Sequence, residues 1–218
     1  MAGLRHLFVA GLRANKDVES ALGNGRYQRL HMNQADNDWC GPWSLTQVAV
    51  LLQGWRRQVA ANSETTREPW ATFWRTVRAD YNQGTDERDL TALAGMLGLQ
   101  LEVTKTTSGK RVAAIARSAI EGGSVPLVRT TTSRWSHWAL ISGIALEADD
   151  APCALLVLDT SVGAPWAVPY NVFQEVRPMK PAAGGFRYEG RTLDGERWRA
   201  RFDSVVVVRR PAPIGDMS

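Results

Sequence analysis

The sequence predicts an α+β fold, a helical half followed by an antiparallel β half. Two observations carry that prediction. Apolar residues recur at helical spacing from Leu45 to Ala119, and β-rich or strongly apolar runs dominate from Val125 to Val208. The change of character falls at Gly122-Gly123.

Residues 1–33 read as an irregular lead-in, weakly periodic and broken at Gly23-Asn24-Gly25. From Cys40, the positions Leu45, Val48, Ala49 and Leu52 fall on one face of a helix ending near Gly54. Pro69 suits the first turn of a second helix, in which Trp70, Phe73, Trp74 and Val77 repeat the spacing and read as core. Thr85 or Asp86 is the expected N-cap of a third helix, with Leu90, Leu93, Ala94 and Leu97 inward and Gly98 as its stop. Leu99, Leu101 and Val103 alternate with polar residues as a short strand. Residues 104–110 read as a polar turn, after which Val112, Ile115, Ala116 and Ala119 define a fourth helix.

In the β half, residues 125–130, 138–146 and 153–158 are predicted strands, the last two separated by a polar break at 147–152. A Gly/Pro-rich loop follows Asp159. Pro169 then leads a predicted short helical turn through Val172, Phe173 and Val176. Residues 186–192, Asp194-Gly195 and residues 197–208 form an expected hairpin, because Asp-Gly suits a type I′ turn. In its second arm Arg197, Arg199 and Arg201 alternate with Trp198, Ala200 and Phe202, which puts three guanidiniums on one face. The organisation is one catalytic domain over 34–210, mainly helical over 34–123 and mainly β over 124–210, with a tail at 211–218.

The 218-residue composition, 44% hydrophobic and 22% charged, is that of a globular chain able to bury one good core. Lys and Arg exceed Asp and Glu by four, but the excess is spread along the chain, so nucleic-acid binding is not expected. The apolar run at 7–12 is short for a secretory signal, and no stretch is long enough for a membrane span. Cys40 and Cys153 are the two cysteines, and no Cys/His metal spacing or cofactor motif is visible. A reducing compartment is therefore expected, cytoplasmic or reached after export by a signal-less route. Oligomeric state is not legible.

The chemistry concentrates at 34–45. A thiol becomes a nucleophile as the thiolate, which a helix N-terminus or a neighbouring imidazolium favours, and Cys40 stands at a predicted helix start. Three histidines are candidates for its base. His137 opens a predicted strand, whereas His6 and His31 lie in the lead-in. Asp159 ends the next apolar run, so an antiparallel pairing of the two strands brings it beside His137 as orienter. The Cys40 backbone N–H and the Gln34 side-chain amide are the candidate donors to an oxyanion. Trp39, Trp43, Trp135 and Trp138 cluster in sequence around these residues, and they read equally as a hydrophobic substrate cleft or as core.

At these residues the sequence resembles the papain-like cysteine peptidase superfamily, most of all the bacteriocin-leader peptidases that cut after double glycine, and their stand-alone relatives. The matching pieces are Gln34, Asp38-Trp39-Cys40-Gly41-Pro42 and Leu45, then Asp89-Leu90, Ala94 and Leu97-Gly98-Leu99, then Ser136-His137-Trp138-Ala139-Leu140 and Leu158-Asp159. The resemblance implies a papain-like fold, with a helical subdomain carrying the nucleophile packed on an antiparallel β-sheet subdomain. It implies Cys40 as nucleophile, His137 as base, Asp159 as its orienter and Gln34 as oxyanion donor. One departure is Thr160, where those peptidases often carry proline.

The leading expectation is a thiol hydrolase cleaving a peptide or isopeptide bond in a protein or peptide substrate. A second uses the same site as a deamidase, an acyltransferase or a peptidoglycan amidase, acting as a toxin or effector. A third is a binding module that kept the fold without turnover.

Overall fold

The computed structural model describes residues 5–10, 38–131, 136–160, 173–182, 185–191 and 197–211. Five helices and eight strands lie within them. The helices are α1 (Cys40–Gln53), α2 (Arg57–Ala60), α3 (Trp70–Asp80), α4 (Glu87–Met96) and α5 (Gly109–Glu121). The strands are β1 (Arg5–Phe8), β2 (Gln100–Lys105), β3 (Val125–Thr131), β4 (Ser136–Leu146), β5 (Pro152–Leu158), β6 (Phe173–Ala182), β7 (Gly185–Arg191) and β8 (Arg197–Arg209). The fold is α+β, a helical region followed by an antiparallel sheet.

The helical half follows its sequence signals closely. α1 starts at Cys40 with Pro42 in its first turn, where a missing N–H leaves no helical bond unmade. It ends at Gly54, whose φ of 72° is the left-handed conformation that glycine adopts without a Cβ clash, and whose N–H closes on the Val50 carbonyl. α1 is buried on nearly every side from Cys40 to Ala49, which makes it the central helix. α3 buries Trp70, Phe73, Trp74 and Val77 in edge-to-face contacts at 5.0–5.5 Å, as expected of core aromatics. α4 begins at a reciprocal capping box. The Asp86 carboxylate accepts from the Arg88 and Asp89 amides, and the Asp89 carboxylate accepts from the Asp86 amide.

Four boundaries differ from expectation. Arg5–Phe8, in a lead-in read as irregular but open to a strand, is strand β1 on the edge of β4. The short helix α2 carries no periodic signal and was not foreseen. The turn expected over 104–110 is narrower, because Thr104 and Lys105 extend β2 and Ser108 caps α5. Phe173 and Val176, expected in a helical turn, lie in β6, paired with Leu158 and Leu155 of β5.

The antiparallel pairings form a ring. β4 pairs β3, β3 pairs β8, β8 pairs β7, β7 pairs β6, β6 pairs β5, and β5 pairs β4 again. A sheet paired in a ring closes into a barrel and leaves few open edges. β1 takes up the edge of β4 beyond Leu140, where β3 has left it, and β2 does the same for β8 beyond β7. β4 is buried from His137 to Leu146 on both faces, because α1 packs on it and the barrel fills its other side. The expected hairpin is the β7–β8 pair, with Arg191 opposite Arg197. Its Asp194-Gly195 turn and the side chains of Arg197 and Arg199 lie outside what is described. The pairings of Arg187 with Arg201 and Glu189 with Arg199 place these positions on one face by strand alternation.

Candidate active site

α1 and β4 meet at Cys40. The close approach is possible because residue 41 is glycine. A Cβ there would fall 2.1 Å from Thr85 Oγ1, 3.1 Å from Leu90 Cδ1 and 3.2 Å from Trp138 Cδ1. Trp138 ties the two halves together at this point. Its backbone N–H donates to Cys40 Sγ at 3.4 Å, its indole N–H donates to the Thr85 carbonyl at 3.0 Å, and its own carbonyl accepts from Ser44 Oγ at 3.4 Å.

His137 and Asp159 are brought together by the β4–β5 register, which sets Leu140 opposite Leu158 and so lays the end of β5 beside the start of β4. Nε2 of His137 lies 2.7 Å from Oδ1 of Asp159, with the Asp159 side chain 2% exposed and that of His137 10%. Burial alone would pull the imidazole pKa down. The Asp159 charge and hydrogen bond, with a hydrogen bond and charge from Cys40, outweigh it and push His137 up to about 10.

A second charged layer lies behind Trp138. Arg129 of β3, the cross-strand partner of Trp138, holds its guanidinium 5.8 Å from the Trp138 ring centroid. It also donates to both carboxylate oxygens of Glu87, at 3.1 and 3.2 Å, and pairs with Asp203 at 3.3 Å. Glu87 stands in the first turn of α4 and accepts from Ser204 Oγ at 2.8 Å. Burial raises its pKa, but hydrogen bonds from Ser204, its own backbone and Arg129 leave the carboxyl below its ordinary range.

Three of the four residues singled out in the sequence, Cys40, His137 and Asp159, therefore converge. Gln34 lies outside the described residues. Of the two readings of the tryptophans, Trp43 and Trp138 take the core one. Trp138 is fully buried, Trp43 nearly so with its ring 4.6 Å from that of Trp74, and the Trp39 ring lies 6.1 Å from Trp74 in the same aromatic cluster. Trp135 lies outside the described residues. Two features went unseen in the sequence, the Trp138 amide on the sulfur and the Glu87–Arg129 layer. Backbone donors leave no mark on residue type. The only available hint was that Trp138 follows His137 directly.

Among the described residues no group of acidic, histidine or cysteine side chains is arranged to hold a metal, and no helix is long and apolar enough to cross a membrane. No family model matches the sequence, and no curated protein matches it. Among solved structures the chain is similar to UfSP from C. elegans, which has a papain-like fold, with a TM-score of 0.53 and 14% identity over 97% of this chain. The chain spans only 35% of that protein's length. At that identity the likeness is one of fold.

Proposed function

We propose that the chain is a cysteine peptidase-like hydrolase that cleaves a peptide or isopeptide bond through an acyl-enzyme on Cys40. The observation that carries this reading is a buried His137 hydrogen-bonded to Asp159, next in sequence to the Trp138 amide that donates to Cys40 Sγ at the start of the central helix. The papain-like fold supports it.

In this reading His137 is protonated at rest and Cys40 reacts as the thiolate. The thiolate attacks the carbonyl carbon, a C–S bond forms, and the carbonyl electron pair moves onto oxygen. The Cys40 backbone N–H at the start of α1 donates to that oxyanion, and the Gln34 side chain is the proposed second donor. As the oxyanion collapses, the C–N bond breaks and His137 gives its proton to the leaving nitrogen. The sulfur of the thioester carries no charge, so one of the interactions that raise His137 is gone and the neutral ring is the better base. It takes a proton from water as the water oxygen attacks the thioester. Collapse releases the acid and the thiolate, and the proton remains on His137. Asp159 holds the ring orientation throughout.

The test is a cleavage profile of a peptide library, double-glycine sequences included, with wild type and Cys40→Ala. New N-termini that depend on Cys40 support hydrolysis of a backbone bond. Cys40-dependent mass gains of about one dalton at glutamine, with no new N-termini, assign the site to a deamidase, and amine adducts assign it to an acyltransferase. Release of amino acids from peptidoglycan assigns an amidase. Identical products with and without Cys40 leave the binding-module reading.

A further inference from the structure

A second concavity lies at the far end of α1 from Cys40. It encloses about 430 Å³ and is lined by Gln53, Gly54, Trp55, Arg56, Val59 and Arg67. That volume is in the range of ~300–1,000 Å³ common to ligand sites. We propose that this pocket docks an acidic, carboxylate-bearing segment of the polypeptide substrate; that the ligand is a polypeptide rests on the function proposed above.

The wall of the pocket is built in advance of any ligand. The Trp55 indole N–H donates to Gln53 Oε1 at 2.9 Å, and Gln53 Nε2 donates to the Leu97 carbonyl at 2.7 Å, so the amide is used at both ends. The Trp55 ring stands edge-on to the buried Trp70 ring at 5.9 Å and 88°. Gly54 keeps the adjoining wall open, since nothing lies within 4 Å of the position a Cβ would take. The result is a fixed aromatic plane beside an open turn.

The charge of the pocket is positive and uncompensated. Arg56 and Arg67 are exposed and make no ion pair among the described residues. The carboxylates nearest to Arg67 in sequence are turned elsewhere. Glu64 pairs with Arg78 at 3.1 Å, and Glu68 accepts from the Thr72 amide at 3.3 Å and the Thr72 hydroxyl at 2.9 Å. Arg57, next to Arg56, has its pKa lowered by burial, and its buried Nε has no hydrogen-bond partner among the described residues.

Guanidinium forks match carboxylates in two-bond geometry, and an indole plane takes an apolar side chain between them. An acidic segment carrying one apolar residue meets both features. α1 has 14 residues, roughly 20 Å at ~1.5 Å per residue, and six or seven extended residues reach about that far. Because α1 itself is buried, a polypeptide that touches both the pocket and the Cys40 region must be longer than that.

The experiment uses the full-length Cys40→Ala chain and two fluorescent peptides, one of glutamates around a single leucine and one with glutamine at each glutamate position. Anisotropy at physiological salt is expected to show the acidic peptide binding at least about tenfold more tightly. The exposed double substitution Arg56→Gln/Arg67→Gln is expected to remove that advantage with an unchanged circular dichroism spectrum. Equal binding of the two peptides overturns the proposal, as does undiminished binding of the acidic peptide by the double variant. Displacement of the peptide by an equal concentration of inorganic phosphate assigns the pocket to phosphate instead and overturns the carboxylate assignment. Because Cys40→Ala turns nothing over, the binding result is independent of which reaction Cys40 performs.

Discussion

Nε2 of His137 sits 2.7 Å from Oδ1 of Asp159, and both groups are nearly closed to solvent. A contact this short and this dry fixes the ring, its charge and its response to pH together.

Stability should depend on pH through this pair. The folded-state pKa of His137, about 10, is above its ordinary value of 6.5. The contribution is therefore fully present below about 6.5 and is lost as pH rises toward about 10. Thermal unfolding followed across that window should show Tm falling in wild type. In His137→Gln the fall should be much shallower; the same slope in both would place the titration elsewhere.

Asp159→Asn tests orientation separately from charge. The amide keeps the shape but can donate to Nε2, which stabilises the wrong tautomer. Loss of turnover by about 10²–10⁴-fold with little change in KM is expected from single-substrate kinetics. A KM effect alone would make Asp159 part of substrate binding.

Gly41→Ala should damage both fold and chemistry. The added methyl would meet Thr85, Leu90 and Trp138 at once, at the point where α1 touches β4. Overpacking of this kind costs about 1–3 kcal/mol. Denaturant unfolding should show that loss, together with slower alkylation of Cys40; a neutral effect on both would mean the two halves can separate there without consequence.

Glu87→Gln removes one side of the Arg129 layer behind Trp138. A fully buried pair broken on one side costs about 3–5 kcal/mol. Glu87 and Arg129 are 12% and 20% exposed, so about 2 kcal/mol is the expectation after allowing for solvent screening. Urea unfolding measures it. Arg129→Lys should lose less than Arg129→Met, because a cation remains over the Trp138 face.

The helical half was legible because its signals are local. The spacing of Leu45, Val48, Ala49 and Leu52, the stop at Gly54 and the Asp86 cap are each written within a few residues. Asp159 was legible for a related reason, since β4 and β5 are sequential strands and neighbours in sequence usually pair. Barrel closure was not, because β3 pairs β8 across some seventy intervening residues and no local pattern encodes that choice. β6 was misread because Phe173 and Val176 stand three apart, a spacing that also suits a helix, and pairing with β5 decides for the strand. The tryptophans stayed open between two readings because an aromatic beside a reactive residue reads the same whether it lines a cleft or packs behind it. Burial separates the two, and Trp138 is covered by residues distant from it in sequence, among them Thr85.

The most direct measurement of the central claim is selective alkylation. Ordinary cysteines titrate near ~8.5 and react slowly in mildly acidic solution, whereas a thiolate held by an imidazolium stays reactive. Wild type treated with iodoacetamide at about pH 6 and followed by peptide mass spectrometry should label Cys40 far faster than Cys153, and His137→Ala should abolish the difference. Equal labelling of the two cysteines in wild type, or selectivity that survives His137→Ala, would contradict a His137-activated nucleophile at Cys40.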